Sequence, residues 1–244
     1  MNSKKINEIS AIILKLNRER ELLPKTPCIR CGAVYRGKEE NFICSSCLEK
    51  EREIKEENKR RESFIRFLID ESNIPRRYKE AKLSPKTEEQ RVIINNLKKN
   101  FLEGDLKGSN DILIIGSIGT GKTYISCAFG LEFIREKVKE VKYITEYQLL
   151  ELYFQKNYSE YKIFRQSKLL ILDELGKRKL ADWQRVQLEE LLSFRYNEML
   201  PTIFISNLTQ SQFKEFIGER LSDRLKENRI KSFALIGESL RGRI

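Results

Sequence analysis

Eight residues near the middle of the chain constrain its fold more than any other segment. They read Gly-Ser-Ile-Gly-Thr-Gly-Lys-Thr, between an apolar run, Asp111–Ile115, and a helical pattern that begins at Lys122. Glycines in such a loop let backbone N–H groups turn toward phosphate oxygens, and the next helix adds the positive end of its dipole. The segment therefore predicts a phosphate-binding loop. Its residues are Gly116, Ser117, Ile118, Gly119, Thr120, Gly121, Lys122 and Thr123.

The last two residues of this loop carry the specific signal. A glycine-rich turn between a strand and a helix also occurs without a ligand, so the glycines alone leave that alternative open. Lys122 is placed to contact the β- and γ-phosphates, and the hydroxyl of Thr123 is placed to ligate Mg²⁺. Because both residues are in register, nucleotide binding is the favoured interpretation.

Short apolar runs alternate with helical patterns around the loop. The predicted strands are Asp111–Ile115, Val141–Thr145, Leu169–Leu172, Thr202–Ser206 and Phe233–Ile236. The predicted helices are Lys122–Lys137, Glu146–Asn157, Asp182–Leu200 and Ser211–Glu227. Such alternation is typical of a parallel sheet with helices on both faces. We therefore expect an α/β domain built on a five-stranded parallel sheet.

Two carboxylates follow the predicted strand Leu169–Leu172. Ligands of α/β sheets bind at the carboxyl ends of the strands, so we expect Asp173 to organise Mg²⁺ and Glu174 to orient the attacking water. An acidic helix cap would explain this segment by itself, but its place fifty residues after the phosphate loop favours catalysis. Asn207, which follows Thr202–Ser206, is a candidate for holding the same water. An ordinary turn residue is the competing interpretation for Asn207.

A pair of arginines lies further along the chain. Arg220 and Arg224 are four residues apart and therefore share one helix face. A guanidinium that projects toward the γ-phosphate of a neighbouring copy would stabilise charge in the transition state. The alternative is an ion pair between Arg220 and Asp223 on a solvated surface.

Four of the five cysteines form two close pairs separated by twelve residues. The pairs are Cys28/Cys31 and Cys44/Cys47, whereas Cys127 lies in an apolar helical pattern where core packing is expected. A reducing cytosol disfavours disulfides, so tetrahedral Zn²⁺ is the favoured interpretation. Four thiolates leave no coordination position open, and the predicted site is therefore structural. The spacing does not indicate whether the module contacts protein or DNA.

Composition narrows the chemistry and the partners. The chain has no histidine, which excludes Ser-His and Cys-His catalysis and leaves acid–base steps to carboxylates, lysines or water. Its net charge of +11 indicates a polyanionic partner, either nucleic acid or nucleotide phosphates. No run approaches the roughly 18 apolar residues of a membrane span, and the first twenty residues hold no apolar signal segment. We therefore expect a cytoplasmic protein.

The basic run Lys177-Arg178-Lys179 either lines a path for DNA or forms an exposed turn.

Together these motifs resemble those of AAA+ ATPases of the initiator and helicase-loader clade. Residues 73–78, Asn-Ile-Pro-Arg-Arg-Tyr, are similar to the box that opens the ATPase domain of DnaC/DnaI-type bacterial replicative helicase loaders. Residues 238–243, Glu-Ser-Leu-Arg-Gly-Arg, resemble that family's terminus. The resemblance covers roughly residues 73–244, and a four-cysteine zinc module is similar to the DnaI-type branch.

The resemblance implies a role for each matching residue. By this resemblance, Lys122 and Thr123 belong to the P-loop, and Asp173 and Glu174 form the second Walker motif. Asn207 corresponds to sensor 1 and Arg241 to sensor 2. Arg220 corresponds to the trans-acting arginine finger. Arg224 is the less favoured finger. Many loaders have Asp-Asp where this chain has Asp-Glu.

The expected organisation has four parts. Residues 1–24 form an amphipathic helix, 25–50 the four-cysteine zinc module, 51–72 a charged linker helix and 73–244 an AAA+ ATPase domain without a full helical lid. We expect an ATP-dependent loader that binds a hexameric replicative helicase through its N-terminal region. Its AAA+ domain would bind ATP, Mg²⁺ and single-stranded DNA, and it would assemble with other copies through the ATP interface.

Two other functions stay open. An IstB-like transposition helper ATPase shares nearly the whole core, although the cysteine module weighs against it. A zinc-ribbon nucleic-acid-binding protein, whose nucleotide site only switches conformation, is the third possibility.

Overall fold

The computed structural model describes residues 12, 15, 16, 18, 19, 21, 23–36, 42–103, 111–227 and 230–240. It divides into two compact units, Met1–Ser63 and Phe64–Ile244. Within the predicted N-terminal helix, residues 12, 15, 16, 18, 19 and 21 are helical, and the other positions before Leu23 lie outside the described residues. Within the described ranges, every helix is too short or too polar to cross a membrane.

The first unit contains a small hairpin and most of a long helix. Strand β1 (Lys25–Pro27) pairs with β2 (Val34–Arg36) in an antiparallel arrangement. Helix α1 (Ser45–Asp70) has no glycine or proline and includes the charged segment 51–62. Ion pairs one turn apart, such as Lys55 with Glu51, support the helical conformation of this charged segment.

One parallel sheet forms the centre of the second unit. Its strands are β3 (Ile112–Gly116), β4 (Val141–Thr145), β5 (Leu169–Leu175), β6 (Thr202–Ser206) and β7 (Lys231–Leu235). They lie in the order β4-β5-β6-β3-β7, and every neighbouring pair is parallel. This confirms the predicted five-stranded parallel sheet.

Helices pack against both faces of the sheet. They are α2 (Glu88–Leu97), α3 (Lys122–Lys137), α4 (Glu146–Phe154), α5 (Tyr158–Gln166), α6 (Asp182–Asn197), α7 (Gln210–Ile217) and α8 (Glu219–Glu227). Successive residues of a strand point to opposite faces. Ile114 of β3 packs in one apolar cluster with Phe129 of α3, whereas its neighbour Leu113 packs in a second cluster with Leu191 of α6. The prediction of helices on both faces is therefore confirmed.

The helix boundaries differ from prediction at several points. The predicted helix Glu146–Asn157 ends earlier because Lys156 adopts a φ of 58°, and Asn157 caps the next helix through the N–H of Glu160. The predicted helix Ser211–Glu227 is two helices, since Gly218 has a φ of 79°. The helical pattern at Glu88–Leu97 was not predicted, although Thr87 provides an N-cap for it.

Candidate functional site

The phosphate loop leaves β3 at Gly116 and enters α3 at Lys122. The φ angles of Gly116, Gly119 and Gly121 are 134°, 86° and 92°, a region that side chains disfavour. At Gly116 the space is closed as well, because a Cβ would lie 2.0 Å from the carbonyl oxygen of Leu235. The loop geometry therefore requires glycine at these positions.

Lys122 lies beneath this loop and is 6% exposed. Its Nζ donates hydrogen bonds to the carbonyl oxygens of Gly116 (2.8 Å) and Ser117 (2.7 Å). The hydroxyl of Thr120 donates to the same Ser117 carbonyl at 2.9 Å. The ammonium group thus lies at the centre of the loop, where it can reach phosphates that bind there.

The carboxylate of Asp173 accepts hydrogen bonds from residues of α3, β4 and β5. Its Oδ2 accepts from the hydroxyl of Thr123 at 2.9 Å and from that of Tyr143 at 2.8 Å. Its Oδ1 accepts from the backbone N–H of Glu174 at 2.7 Å. Burial raises the pKa of Asp173, and these three hydrogen bonds oppose the rise. A hydroxyl and a carboxylate oxygen in contact are the donor set that Mg²⁺ takes in phosphate-loop sites, so the residues fit that ion.

Glu174 continues β5 rather than following it. The strand extends to Leu175 instead of ending at Leu172, and its register with β6 shifts between these two residues. Glu174 itself has a φ of 59°, and its half-exposed carboxylate lies 2.9 Å from Nζ of Lys177. Glu174 thus lies in an irregular strand end, and its carboxylate pairs with Lys177 near the surface.

Asn207 follows β6, the strand beside β5, and is exposed. The preceding residue ties the two strand ends together, since the Ser206 hydroxyl donates to the Leu175 carbonyl at 2.6 Å and accepts from the N–H of Leu208 at 3.1 Å. Asn207 and Glu174 consequently lie at the same carboxyl edge of the sheet.

Sequence reasoning missed two residues that shape the site. Tyr143, the donor to Asp173, stands on β4 opposite Ile171 of β5, and only the strand register would have indicated it. Gln90 is 3% exposed, and its Nε2 donates to the Thr120 carbonyl at 3.0 Å. No short-range pattern connects Gln90 to a loop thirty residues later in the chain.

The two candidate arginine fingers differ in their surroundings. Arg220 is 74% exposed and forms an ion pair with Glu189 of α6 at 3.4 Å. Arg224 donates to the hydroxyl of Ser193 on the same helix and is more enclosed. Asp223, the partner considered for Arg220, pairs with a lysine one turn later. The predicted sensor-2 residue, Arg241, lies outside the described residues.

The four paired cysteines converge on one point in the first unit. All four sulfur atoms lie within 4.8 Å of one another, with separations of 3.9 Å for Cys28 and Cys47 and 3.7 Å for Cys31 and Cys44. A tetrahedron with Zn–S bonds of about 2.3 Å has sulfur separations of about 3.8 Å. A backbone hydrogen bond from Cys44 lowers the pKa of the Cys28 thiol to about 6, whereas hydrogen bonds with the neighbouring thiols raise the pKa of Cys47 to about 12, so the sulfur geometry rather than the pKa values supports a metal site. The geometry fits a tetrahedral metal ion far better than disulfides, whose sulfurs are about 2.05 Å apart.

Comparison with known proteins places this site in a family. The model of the IstB-like ATP binding protein family matches residues 55–241. An ATP-binding protein of insertion sequence IS5376 from Geobacillus stearothermophilus is 30% identical over 141 residues, which are 54% of this chain and 55% of that protein. The chain spans about half the length of the curated relatives it matches.

Solved structures show the same fold at low identity. The crystal structure of the DnaC helicase loader has a TM-score of 0.61 at 21% identity, over 66% of this chain and 99% of that one. The replication initiator DnaA, bound to AMPPCP and single-stranded DNA, has a TM-score of 0.55 at 20% identity, over 68% of this chain and 52% of that one. These similarities confirm the predicted AAA+ P-loop fold.

From the sequence we favoured a DnaC/DnaI-type helicase loader and kept an IstB-like helper ATPase as the alternative. The family model that matches the chain is the IstB-like one. The likeness to helicase loaders is confirmed at the level of the fold. The phosphate loop, the Thr123–Asp173 contact and a match over residues 55–241 agree with one another. The chain belongs to the IstB-like ATP-binding protein family.

Proposed function

We propose that this protein is an ATP-dependent loader of a replicative DNA helicase. The observation that carries the proposal is the four-cysteine cluster at Cys28–Cys47, which precedes the family match at residues 55–241. A preformed metal-binding module outside the shared ATPase core supplies a separate surface for a partner. The fold similarity to the DnaC helicase loader, over nearly all of that chain, supports the same assignment.

The ATPase chemistry would use the residues that meet at the carboxyl edge of the sheet. Lys122 binds the β- and γ-phosphates, and Thr123 and Asp173 hold Mg²⁺, which when bound offsets charge on the transferring phosphoryl group. Glu174 orients water and accepts its proton, and Asn207 positions the same water from the neighbouring strand. Gln90 supports the loop from below through its bond to the Thr120 carbonyl.

The active site would be completed by a second copy of the chain. Arg220 projects from α8 with its side chain 74% exposed, and its ion pair with Glu189 is a weak surface contact. A guanidinium in this state can leave its partner and bind the γ-phosphate at a neighbouring site. We assign Arg220 as the trans-acting finger on this basis.

Zn²⁺ and single-stranded DNA complete the proposed set of ligands. Cys28, Cys31, Cys44 and Cys47 would hold one structural Zn²⁺, since their sulfur separations match its tetrahedral geometry. The excess of positive charge suits a phosphate backbone. The DnaA relative of similar fold is bound to single-stranded DNA, which supports the same ligand here.

A transposition helper ATPase is the second candidate. The family description and the relative from insertion sequence IS5376 favour it specifically. Both candidates need ATP and DNA. They differ in the partner protein, which is a replicative helicase for a loader and a transposase for a transposition helper.

The decisive experiment compares the two partners directly. The purified full-length chain is mixed with ATP and either a hexameric replicative helicase or an insertion-sequence transposase, and complexes are separated by size-exclusion chromatography. A loader forms a stable complex with the helicase and accelerates its transfer onto circular single-stranded DNA. Binding to the transposase alone would contradict loading and support the second candidate.

A further inference from the structure

The phenol of Tyr143 lies in the core and donates to a carboxylate of the phosphate site. Tyr143 is 8% exposed, and its ring packs in the apolar cluster on one face of the sheet. Its hydroxyl donates to Oδ2 of Asp173 at 2.8 Å, and the same oxygen accepts from the hydroxyl of Thr123 at 2.9 Å. The polar end of a buried side chain thus contacts a residue proposed to hold Mg²⁺.

The pairing of β4 with β5 accounts for this contact. Thr145 lies opposite Asp173, and Tyr143 precedes Thr145 by two residues. Because side chains alternate along a strand, Tyr143 and Asp173 point to the same face of the sheet. The backbone N–H of Tyr143 donates to the carbonyl of Ser72 at 2.8 Å. The phenol therefore approaches Asp173 from a strand that is held on both sides.

Hydrogen bonds engage both oxygens of Asp173. Oδ1 accepts the backbone N–H of Glu174 at 2.7 Å, whereas Oδ2 accepts the two side-chain hydroxyls. The hydroxyl of Thr123 is also a proposed ligand of Mg²⁺, so it serves the ion as well as Asp173. The hydroxyl of Tyr143 has no such second role in the proposed site. Its hydrogen bond is therefore the side-chain contact best placed to fix the orientation of Asp173.

We propose that Tyr143 is a positioning residue for the Mg²⁺ site, because its hydroxyl orients Asp173 toward the ion that Thr123 and Asp173 would hold. Groups that donate hydrogen bonds to a metal ligand tune the affinity for the metal, and their loss typically costs about 10- to 100-fold. The proposal rests on the Mg²⁺ assignment within the proposed function. It does not depend on which protein partner the ATPase serves.

The test measures the affinity of the full chain for a fluorescent, non-hydrolysable ATP analogue as a function of Mg²⁺ concentration. Tyr143→Phe removes the hydroxyl and keeps the ring that packs in the core. We expect the half-saturating Mg²⁺ concentration to rise about tenfold or more. Affinity for the analogue in EDTA should equal that of the wild type, whereas a general loss of structure would lower the affinity under both conditions.

Tyr161→Phe is the matched control for loss of a buried phenol hydroxyl. Tyr161 is also 8% exposed, and its hydroxyl donates to the carbonyl of Gln187 at 3.5 Å, in the apolar cluster on the opposite face. This substitution should leave the Mg²⁺ dependence unchanged.

The double variant Tyr143→Phe/Asp173→Asn tests whether Tyr143 acts through Asp173. Residues that contact each other have non-additive effects, so the second substitution should add little once the first has removed their interaction. We expect the double variant to need no more Mg²⁺ than Asp173→Asn alone.

Each of three results would overturn the proposal alone. An unchanged Mg²⁺ requirement in Tyr143→Phe would show that the hydroxyl does not position Asp173. An equal rise in Tyr161→Phe would show that the effect is not specific to the site. A double variant that needs about tenfold more Mg²⁺ than Asp173→Asn would show that Tyr143 acts by another route. In contrast, a wild type that binds the analogue equally well with and without Mg²⁺ would refute the Mg²⁺ assignment in the proposed function and this proposal with it.

Discussion

The carbonyl oxygen of Leu235 occupies the space that a side chain on Gly116 would need. An ideal Cβ on Gly116 would lie 2.0 Å from that oxygen, and the φ of Gly116 is 134°. Strand β7 therefore packs directly against the first residue of the phosphate loop. A side chain could change its rotamer to avoid a Cβ at this position, but the backbone carbonyl of Leu235 is fixed by the sheet. A side chain on residue 116 would therefore displace the backbone of β7.

We predict that Gly116→Ala lowers the free energy of unfolding by about 2–6 kcal/mol, because backbone strain and overpacking each cost about 1–3 kcal/mol. Chemical denaturation measures the loss, and ATP binding should weaken as well. Gly218→Ala tests strain alone, since its φ is 79° and its ψ is 164° with open space around it, and should cost about 1–3 kcal/mol. Gly237→Ala meets nothing and should stay within about 0.5 kcal/mol. Equal stabilities for all three variants would refute the packing argument.

Binding and hydrolysis should separate in two variants of the site. Lys122→Ala removes the charge that meets the phosphates and should weaken ATP binding about tenfold or more, since hydrogen bonds to charged groups contribute about 1.5–3 kcal/mol. Glu174→Gln keeps the size of the side chain and should bind ATP normally while hydrolysis slows about 10²- to 10⁴-fold. Fluorescent-nucleotide titration and phosphate release measure the two effects. Glu215→Gln, on the exposed surface of α7, is the control, and equal hydrolysis by Glu174→Gln and wild type would reject the role of Glu174.

The cysteine cluster should carry about one Zn²⁺ per chain by elemental analysis. Cys28→Ser should lose the metal and partner binding but keep nucleotide binding, because the ATP-site residues all belong to the second unit. Cys127→Ala removes the one cysteine that stands apart from the cluster, in the core of the second unit, and should keep the metal. A metal-free wild-type protein that binds its partner fully would disprove the zinc assignment.

Arg220 should act on a neighbouring copy. ATP hydrolysis per chain should therefore rise with protein concentration, and Arg220→Ala should lower it by about 10³-fold or more, the range for trans-acting arginines. Mixing Arg220→Ala with Lys122→Ala should restore part of the activity, because one interface in the mixture pairs an intact loop with an intact arginine.

Arg224→Ala provides the comparison for this mixing experiment. Arg224 donates to Ser193 of its own chain, so its loss should not be rescued by Lys122→Ala. If the Arg220→Ala mixture is as inactive as its components while both still bind DNA, the trans-acting role of Arg220 is wrong.

Local patterns predicted those parts of the site that lie within one segment. The phosphate loop is contiguous, and its Lys-Thr ending is enough to indicate both the fold and the ligand. The apolar runs also predicted the strands, because a parallel sheet covered on both faces buries mostly apolar residues. The end of β5 was misplaced, since the carboxylates Asp173 and Glu174 are typical of a strand terminus although pairing continues to Leu175.

The supporting contacts could not be predicted, because they join segments that are distant in the chain. Tyr143 reaches Asp173 only through the pairing of β4 with β5, and Gln90 reaches Thr120 only through the packing of α2 beside the loop. Such contacts depend on the order of strands and helices in space, which alternation along the sequence leaves open.

The contacts between β7 and the phosphate loop also determine when, during synthesis of the chain, the loop can adopt its final conformation. Besides the contact at Gly116, the N–H of Ser117 donates to the Leu235 carbonyl at 3.1 Å, and the N–H of Leu240 donates to the Gly119 carbonyl at 2.9 Å. Residues 235–240 leave the ribosome long after residues 116–123, so a nascent chain has the loop sequence but not the contacts that shape it. We therefore expect the growing polypeptide to acquire affinity for ATP only once residues 235–240 have emerged.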